Sequence, residues 1–496
     1  MLKLLKATAI VSIATIATII TGLIRAKFTA VTLGPAGVGI FSQAFNFQQL
    51  AINIASLNIG LGIAKHVAQH NAQNDQLKIK GVISSASIMQ IIASVAFIIL
   101  TFIFAGRLSK FLFSSSEYKN LLIILSFGVL FFVLGGAIEA ALLGFGNYKA
   151  FAKGRSLSSI LSLIPLFIFI AAMGVKGGFI YLALNGVITF LVYYYLFYKN
   201  VPKDIFNSVF VMDKSALSKE NLVQSGRGLL SYGGVMFVTG VLSMGSIVLL
   251  RSLLIKYYGA DASGYYQVVF SLSAYHIAFF TNGLWSYSYA KLSIIQDRND
   301  YSFEVNSTLR FCTFGVVPMI AVIFFAKDMI IKLVFSGKFI YSRELFSTQL
   351  FGDVFFLLFY VMGVSLLASA RLRAYLGLGI FSSISFIALF LSLHNILGLK
   401  AVTTAYFIAN LLSFSAVVYY HIRWMGLKIT MQNVKLLVSA AGLCVIILFF
   451  GKDGFFMVGL KTALLAAWLY FLSTSAEKSR LFDIILKKFR FGGNTR

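Results

Sequence analysis

The sequence predicts an all-α, polytopic membrane protein with about 14 transmembrane helices, arranged as two related halves. Of the 496 residues, 59% are hydrophobic and 12% are charged, which is more apolar surface than a water-soluble domain can bury. Apolar runs of about 18 or more residues recur, each long enough to cross roughly 30 Å of hydrocarbon. A glycine-rich turn occurs twice at a constant offset. A β-barrel would instead show short alternating segments.

The apolar runs give fourteen predicted spans, and this even number places both chain ends on the same side of the membrane. The longest polar connection follows the sixth span and separates the first six spans from the last eight. The predicted spans cover residues 7–30, 38–64, 82–105, 119–144, 155–174, 178–198, 228–256, 264–290, 308–326, 346–370, 375–396, 400–421, 431–450 and 455–473.

The spans divide the chain into five predicted segments. They are an N-terminal six-helix bundle (1–199), a cytoplasmic linker (200–227), a C-terminal six-helix bundle (228–424), two additional transmembrane helices (425–474) and a basic amphipathic cytoplasmic tail (475–496). The tail spaces Leu481, Ile485 and Phe489 four residues apart among lysines and arginines. This pattern is typical of a helix lying on an anionic leaflet, and the alternative is a solvated tail.

The two halves share a turn between their first and second spans. Residues 25–45 read RAKFTAVTLGPAGVGIFSQAF, and residues 251–270 read RSLLIKYYGADASGYYQVVF. An offset of 225 relates Gly34 to Gly259, Gly39 to Gly264 and Phe45 to Phe270. Repeats joined in this way are a recurring plan of transporters, which handle their substrate between the two repeats.

The net charge of +26 is explained by basic residues spread over many short loops. Most of the 42 Lys and Arg residues fall on one side of the predicted topology, and the positive-inside rule makes that side cytoplasmic. Both termini are therefore predicted to be cytoplasmic, and the turns at Gly34 and Gly259 are predicted to face outward. No nucleic-acid partner is expected.

Four cations near the outer ends of the first and seventh spans form the predicted substrate site. Arg25 and Arg251 occupy corresponding places in the two halves, and Lys27 and Lys256 follow them closely. Cations around an outward-facing mouth suit an anionic substrate, above all one that carries phosphates. The alternative is that these long side chains reach the outer headgroups.

Other ionisable residues within or beside the spans are candidates for coupling or anchoring. Glu139 and Asp353 are the acids most clearly inside apolar runs, where a carboxylate can carry a proton or neutralise an arginine. For Asp353 the alternative is a helix cap. Lys65 and Lys291 pair in the repeat as anchors at the inner interface. His276 is expected to be a hydrogen-bonded core histidine rather than a proton relay.

The sequence predicts neither an enzyme nor a cofactor. It contains no GxxxxGK[ST] phosphate loop, HExxH, GxSxG or HRD motif. Its two cysteines, Cys312 and Cys444, lie far apart in apolar runs and imply no disulfide bond or metal site.

Three stretches resemble a known family. They are LGPAGVGIF after the first span, KHVAQ after the second, and FSGKFIYSRELFSTQLFGDVFFLLFYVMGVSLLASARLRAY at 335–375. Together they are similar to the Wzx-type flippases of the multidrug/oligosaccharidyl-lipid/polysaccharide exporter superfamily. The resemblance covers roughly residues 1–424, so the last two spans depart from the usual twelve-span pattern.

The resemblance implies two six-helix bundles around a central cationic cavity, as in MATE transporters. It implies translocation of an undecaprenyl-pyrophosphate-linked oligosaccharide, of the O-antigen, enterobacterial common antigen or capsule type, from the inner to the outer leaflet of a bacterial inner membrane. The implied partners are this lipid, the membrane lipids and, as candidates, a polysaccharide polymerase and a chain-length regulator. Arg25 takes the place of a cavity arginine in the related lipid II flippases. Val38 and Gly39 stand where those relatives have an acid.

Two other functions remain open from the sequence. A MATE-like exporter of cationic compounds driven by Na⁺ or H⁺ would favour acids in its cavity, but the chain has only 16 Asp and Glu residues. A membrane scaffold that recruits polysaccharide enzymes would tolerate removal of the cavity charges.

Overall fold

The computed structural model describes residues 2–207, 219–451 and 454–473, and this part of the chain is almost entirely helical. The basic tail and the middle of the linker lie outside the described residues. The α-helices are α1 (Leu2–Ala55), α2 (Gly60–Ala72), α3 (Gln76–Phe113), α4 (Lys119–Gly144), α5 (Tyr148–Leu161), α6 (Leu163–Met173), α7 (Val175–Asn200), α8 (Lys203–Asn207), α9 (Lys219–Leu292), α10 (Arg298–Val334), α11 (Phe346–Ala368), α12 (Leu372–Leu397), α13 (Ala401–Met425), α14 (Met431–Phe449) and α15 (Phe455–Leu472). Two 3₁₀ helices cover Gly337–Leu345 and Gly398–Lys400.

The prediction of an all-α, polytopic membrane protein is confirmed. Ten stretches of the described chain are long and apolar enough to cross a membrane, and α15 adds a shorter apolar helix. Three of the ten, residues 13–55, 234–281 and 372–425, each contain two helices that meet at a kink or a 3₁₀ turn. Most predicted spans therefore coincide with a single helical segment.

The second predicted span, 38–64, is wrong at its C-terminal end. α1 ends at Ala55, and Leu57 and Asn58 adopt positive φ angles of 52° before α2 begins at Gly60. The Asn58 side chain donates a hydrogen bond to the Met236 carbonyl at 2.9 Å and stabilises the turn. The apolar composition continues through this turn, so hydropathy alone could not show it.

Two glycines kink the long helices α1 and α9 at equivalent places in the repeat. Gly34 has φ 68° and ψ −175°, and Gly259 has φ 83° and ψ 172°. Only glycine adopts this backbone region without strain, because a side chain would clash with the backbone. Each kink divides its helix into two arms, residues 2–33 and 35–55 of α1 and residues 219–258 and 260–292 of α9. Pro35 opens the second arm of α1, where its missing N–H costs nothing.

The two second arms cross at backbone contact beside these kinks. A Cβ atom added at Gly39 would overlap the carbonyl oxygen of Ala260, and one added at Gly264 would overlap the carbonyl oxygen of Pro35. Gly39 and Pro35 correspond to Gly264 and Ala260 at the repeat offset of 225, so the two contacts are equivalent and the crossing is pseudo-symmetric. We call these two contacts the glycine crossing.

The chain packs into two compact units. The first comprises Met1–Ser271, Met329–Arg343 and Leu372–Val402, so it includes the glycine crossing. One hydrophobic core of this unit joins α1, α3, α4, α6, α7 and the first arm of α9, with Phe41, Leu125, Phe179 and Val248 among its buried residues. The domain limits expected from the sequence stay a prediction.

The second unit comprises Leu272–Asp328, Glu344–Arg371 and Thr403–Arg496, and most residues of its helix α11 are buried. Phe351 of α11 stacks on Phe407 of α13 with ring centroids 4.6 Å apart. Ser347 donates a hydrogen bond to the Leu448 carbonyl of α14 at 2.9 Å. The three helices therefore pack as one body.

Polar contacts fix the last two helices, α14 and α15, to α10. Asn433 donates its side-chain N–H groups to the carbonyl and side-chain oxygens of Asn306, at 2.9 and 2.8 Å. Asn306 in turn donates to the Lys428 carbonyl at 2.8 Å. Trp468 donates to Ser439 at 3.0 Å and joins α15 to α14. Buried amides of this kind stabilise only when every member is paired.

We expect alanine at either glycine of the crossing to destabilise the protein. Gly39→Ala and Gly264→Ala each place a methyl group against an opposing carbonyl, and overpacking of this kind costs about 1–3 kcal/mol. The midpoint of thermal unfolding of the purified protein in detergent should fall for both. Gly136→Ala is the matched control, because a Cβ atom at this helical glycine has open space within 4 Å. Equal midpoints for Gly39→Ala and Gly136→Ala would contradict the crossing.

A second stability test concerns Asn306. Asn306→Ala removes the side-chain oxygen that accepts from the Asn433 amide and the Thr430 N–H. It also removes the donor to the Lys428 carbonyl, while the backbone carbonyl at position 306 stays. An unsatisfied buried polar group costs about 1–3 kcal/mol. We expect less full-length protein in the membrane and a lower unfolding midpoint. Asn395→Ala, at an exposed asparagine, is the control. If both variants behave as the native protein does, the contacts of Asn306 do not hold the C-terminal helices.

Candidate functional site

Arg251 is a fully buried cation in the first arm of α9, with 0% of its surface exposed. It donates hydrogen bonds to the Ser42 hydroxyl at 2.9 Å and to the side-chain oxygen of Gln267. The rings of Tyr266 and Phe270 lie 5.3 and 5.1 Å from its guanidinium carbon. Its Nε atom has no hydrogen-bond partner among the residues that the structure describes. These neutral and aromatic neighbours hold the guanidinium in place without cancelling its charge.

No carboxylate pairs with Arg251 in the part of the chain that the structure describes. A buried charge without a counter-ion is costly, and intramembrane arginines usually pair or face a substrate path. The site therefore carries an unneutralised positive charge with a free donor. Its chemistry suits an anion with several acceptor oxygens, such as a phosphate or a carboxylate.

Arg25 repeats this arrangement in the other half. Its guanidinium carbon lies 5.2 Å from the ring of Phe45, and its Nη1 donates to the Tyr181 hydroxyl at 3.4 Å. Phe45 and Phe270 are the phenylalanines matched by the repeat offset. Arg25 therefore lies beside Phe45 as Arg251 lies beside Phe270. Arg25 differs in being only half-buried.

The structure places the two lysines of the predicted site differently. Lys27 is half-buried and donates to the Lys332 carbonyl at 3.1 Å. Lys256 is exposed and lies 5.5 Å from the ring of Tyr257. Tyr257 itself stacks on His394 with ring centroids 4.4 Å apart. Neither lysine is among the described partners of Arg251.

Sequence reasoning missed the polar residues that surround Arg251. Ser42 and Gln267 bind it directly, and Gln43 donates to the Ser252 hydroxyl at 2.8 Å and to the Val248 carbonyl at 3.0 Å. These contacts join the second arm of α1 to the first arm of α9. The signal was the run SQAFNFQQ at 42–49, which places polar side chains within an apolar span.

Asp353 is the eighth residue of α11 and is 0% exposed. The alternative that it caps a helix is therefore wrong. Ser273 donates to its Oδ2 atom at 2.7 Å, Tyr406 donates to its Oδ1 atom at 3.0 Å, and His276 Nε2 lies 3.2 Å from Oδ2. The partners that the structure describes for Asp353 include no arginine.

The other predicted residues have separate environments. Glu139 is half-buried in α4, beside Tyr193 and Arg155. Lys65 is exposed in α2. Lys291 forms an ion pair with Glu304 and a hydrogen bond to the Tyr287 hydroxyl at 3.2 Å. Among the described residues, no group of three His, Cys, Asp or Glu side chains could hold a metal ion. The assignment of roles to these side chains stays a prediction.

Comparison with known proteins gives both sequence and structural relatives. The family described as polysaccharide biosynthesis protein matches residues 30–344. The lipid III flippases of Escherichia coli (strain K12) and Shigella flexneri are each 26% identical over 383 residues, which is 76% of this chain and 88% of theirs.

Solved structures show the same fold. The lipid II flippase MurJ in an inward closed conformation has a TM-score of 0.69 at 16% identity, over 95% of this chain and 99% of its own. An inward-facing MATE transporter of the MOP superfamily has a TM-score of 0.68 at 17% identity, over 85% of this chain and 96% of its own.

An added carboxylate should test the uncompensated charge of Arg251. Gln267→Glu is nearly isosteric and places an anion on the guanidinium, so we expect a higher midpoint of thermal unfolding in detergent at neutral pH. Leaving a buried charge uncompensated costs about 3–5 kcal/mol, and part of this cost should be recovered. Gln267→Leu removes the acceptor and should lower the midpoint. A lower midpoint for Gln267→Glu would show that Arg251 is already neutralised.

Proposed function

The chain belongs to the polysaccharide biosynthesis protein family, and on that premise we propose that it is a flippase for a lipid-linked oligosaccharide. The proposed substrate is an undecaprenyl-pyrophosphate-linked repeat unit, of the O-antigen, enterobacterial common antigen or capsule type. It moves from the inner to the outer leaflet of a bacterial inner membrane. The two lipid III flippases support the substrate class, and the MurJ and MATE structures support a transporter fold.

The buried, uncompensated charge of Arg251 is the observation that carries this proposal. A pyrophosphate between a sugar and a prenyl chain is an anion that cannot cross hydrocarbon unaided, because each unpaired polar group costs several kcal/mol there. Arg251 offers such an anion a fixed cation with an unused Nε–H donor. Arg25 is a second cation beside an aromatic ring, that of Phe45, at a corresponding place in the other half. The scaffold alternative gives no reason for a buried arginine without a counter-ion.

The glycine crossing supports alternating access. Arg251 is 0% exposed in the described conformation, so an anion reaches it only after the packing around it opens. Ser42 and Gln267 lie on the two second arms, close to the crossing. Separation of the arms at Gly39 and Gly264 would draw Ser42, on α1, away from Arg251 and make one of its donors available to the substrate. A ligand that binds the open form then shifts the population toward it.

The remaining expectations belong to the same proposal. Lys27 and Lys256 would attract the anion at the outer mouth, and Glu139 and Asp353 are the acids available for ion coupling. Lys65 and Lys291 would anchor the inner interface. Both termini would be cytoplasmic, and the candidate protein partners are a polysaccharide polymerase and a chain-length regulator.

We expect both arginines to be required for transport. Arg25→Ala and Arg251→Ala should each reduce surface glycan by at least about tenfold in a flippase-deficient strain, since about 1.4 kcal/mol of lost interaction gives that factor. Arg25→Lys should keep partial activity, because the charge survives while the bidentate fork is lost. Surface glycan is measured by gel staining, and protein abundance in the membrane by immunoblotting.

Arg107→Ala provides the matched control, because Arg107 is exposed at the end of α3. It should display glycan at the native level. Normal glycan display by the double variant Arg25→Ala, Arg251→Ala would refute the arginine site. It would favour a scaffold role instead.

A further inference from the structure

His276 and Asp353 form a buried pair in the second unit. His276 lies in the second arm of α9 and is 3% exposed, and Asp353 lies in α11 and is 0% exposed. The Nε2 atom of His276 is 3.2 Å from the Oδ2 atom of Asp353. This is an ion-pair distance, although the two groups are not aligned as a hydrogen bond. The pair is not part of the arginine site.

The other ring nitrogen of His276 fixes the tautomer. Its Nδ1 atom lies 2.9 Å from the carbonyl oxygen of Leu272. A carbonyl oxygen can only accept, so Nδ1 carries a hydrogen. In a neutral imidazole Nε2 would then be a bare acceptor 3.2 Å from a carboxylate oxygen. Two acceptors at that distance repel each other. An additional proton on the pair removes this repulsion.

The neighbours of Asp353 show which group holds this proton. Ser273 donates to Oδ2 at 2.7 Å, Tyr406 donates to Oδ1 at 3.0 Å, and Gln349 lies 3.5 Å from Oδ1. Hydrogen bonds to a carboxylate favour its charged form. From these donors we infer a carboxylate at Asp353, with the additional proton on His276.

A second buried histidine in the same unit provides a comparison. His421 also has Nδ1 beside a backbone carbonyl, that of Val417 at 2.8 Å. Its Nε2 atom lies 2.6 Å from the Ser365 hydroxyl. The Ser365 hydroxyl accepts from Tyr301 and also lies 2.8 Å from the Met362 carbonyl, but it can turn its hydrogen toward a bare nitrogen, so this ring can stay neutral. The two histidines differ in the partner of Nε2, a carboxylate in one and a hydroxyl in the other.

We propose that the His276–Asp353 pair is a binding site for a single proton. We further propose that this proton is the coupling ion of transport, and this second step rests on the proposed function. The described side chains that contact the pair are Ser273 from α9, Gln349 from α11 and Tyr406 from α13. Of these three, Tyr406 alone is titratable, and a tyrosine is neutral at physiological pH. Loss of the proton leaves one uncompensated negative charge in an apolar interior. Such a charge is costly, so release of the proton favours a rearrangement of α9, α11 and α13 that admits water.

The protonation state can be measured directly. The chain contains only five histidines, so nitrogen NMR of the purified protein labelled with ¹⁵N-histidine can resolve them. His276→Gln assigns one signal and His421→Gln assigns the control. We expect His276 to be doubly protonated at pH 7 and to become a neutral imidazole in Asp353→Asn, where the counter-charge is gone. His421 should be neutral in both proteins. A neutral His276 in the native protein would overturn the proton site.

Coupling is tested in proteoliposomes with a fluorescent undecaprenyl-pyrophosphate-linked sugar as the probe. A pH gradient should accelerate flipping by the native protein and by His421→Gln, and this acceleration should be lost in His276→Gln. An undiminished response of His276→Gln would overturn the assignment as coupling ion. If neither the native protein nor His421→Gln flips the probe, the result counts against the proposed function. The NMR experiment does not depend on transport, so it tests the proton site separately.

Discussion

The backbone contact of two kinked helices at Gly39 and Gly264 is the constraint on which the first unit depends. Each glycine lies against a carbonyl oxygen of the other repeat, Ala260 or Pro35, so neither position has space for a side chain. The close approach brings the second arms of α1 and α9 together, and with them Ser42 and Gln267, the two hydrogen-bond partners of Arg251. The kinks that allow the crossing themselves require glycine. The packing of the two arms and the surroundings of Arg251 thus depend on a few glycines.

The protein stabilises its two most deeply buried ionised groups in opposite ways. Arg251 has a hydroxyl, an amide oxygen and two aromatic faces around it, which satisfy donors but leave the charge in place. Asp353 has hydroxyl donors and an imidazole, and an additional proton on that imidazole would cancel the charge. In the mechanism that we propose, the first arrangement attracts an anion and the second binds a proton.

The C-terminal helices show the limit of reasoning from resemblance. The family resemblance in the sequence ends near residue 424, which suggests that α14 and α15 are additions. In the structure they are fixed by Asn433 to Asn306 of α10 and by the Leu448 carbonyl to Ser347 of α11. Pairs of buried polar groups separated by about 100 residues leave no periodic signal in a single sequence. The sequence therefore predicted the existence of these helices but not their attachment.

The sequence by itself determined the all-α membrane fold, most of its helical segments and the pairing of the two kink glycines, Gly34 and Gly259. These properties depend on local composition and on a repeat offset, which a linear sequence preserves. The tertiary structure decided which partners the charged residues meet. His276, expected to be a core histidine, faces Asp353, and Gln267 faces Arg251. The reason is that electrostatic interactions act through space over a few ångströms, and helix packing alone decides which side chains come that close.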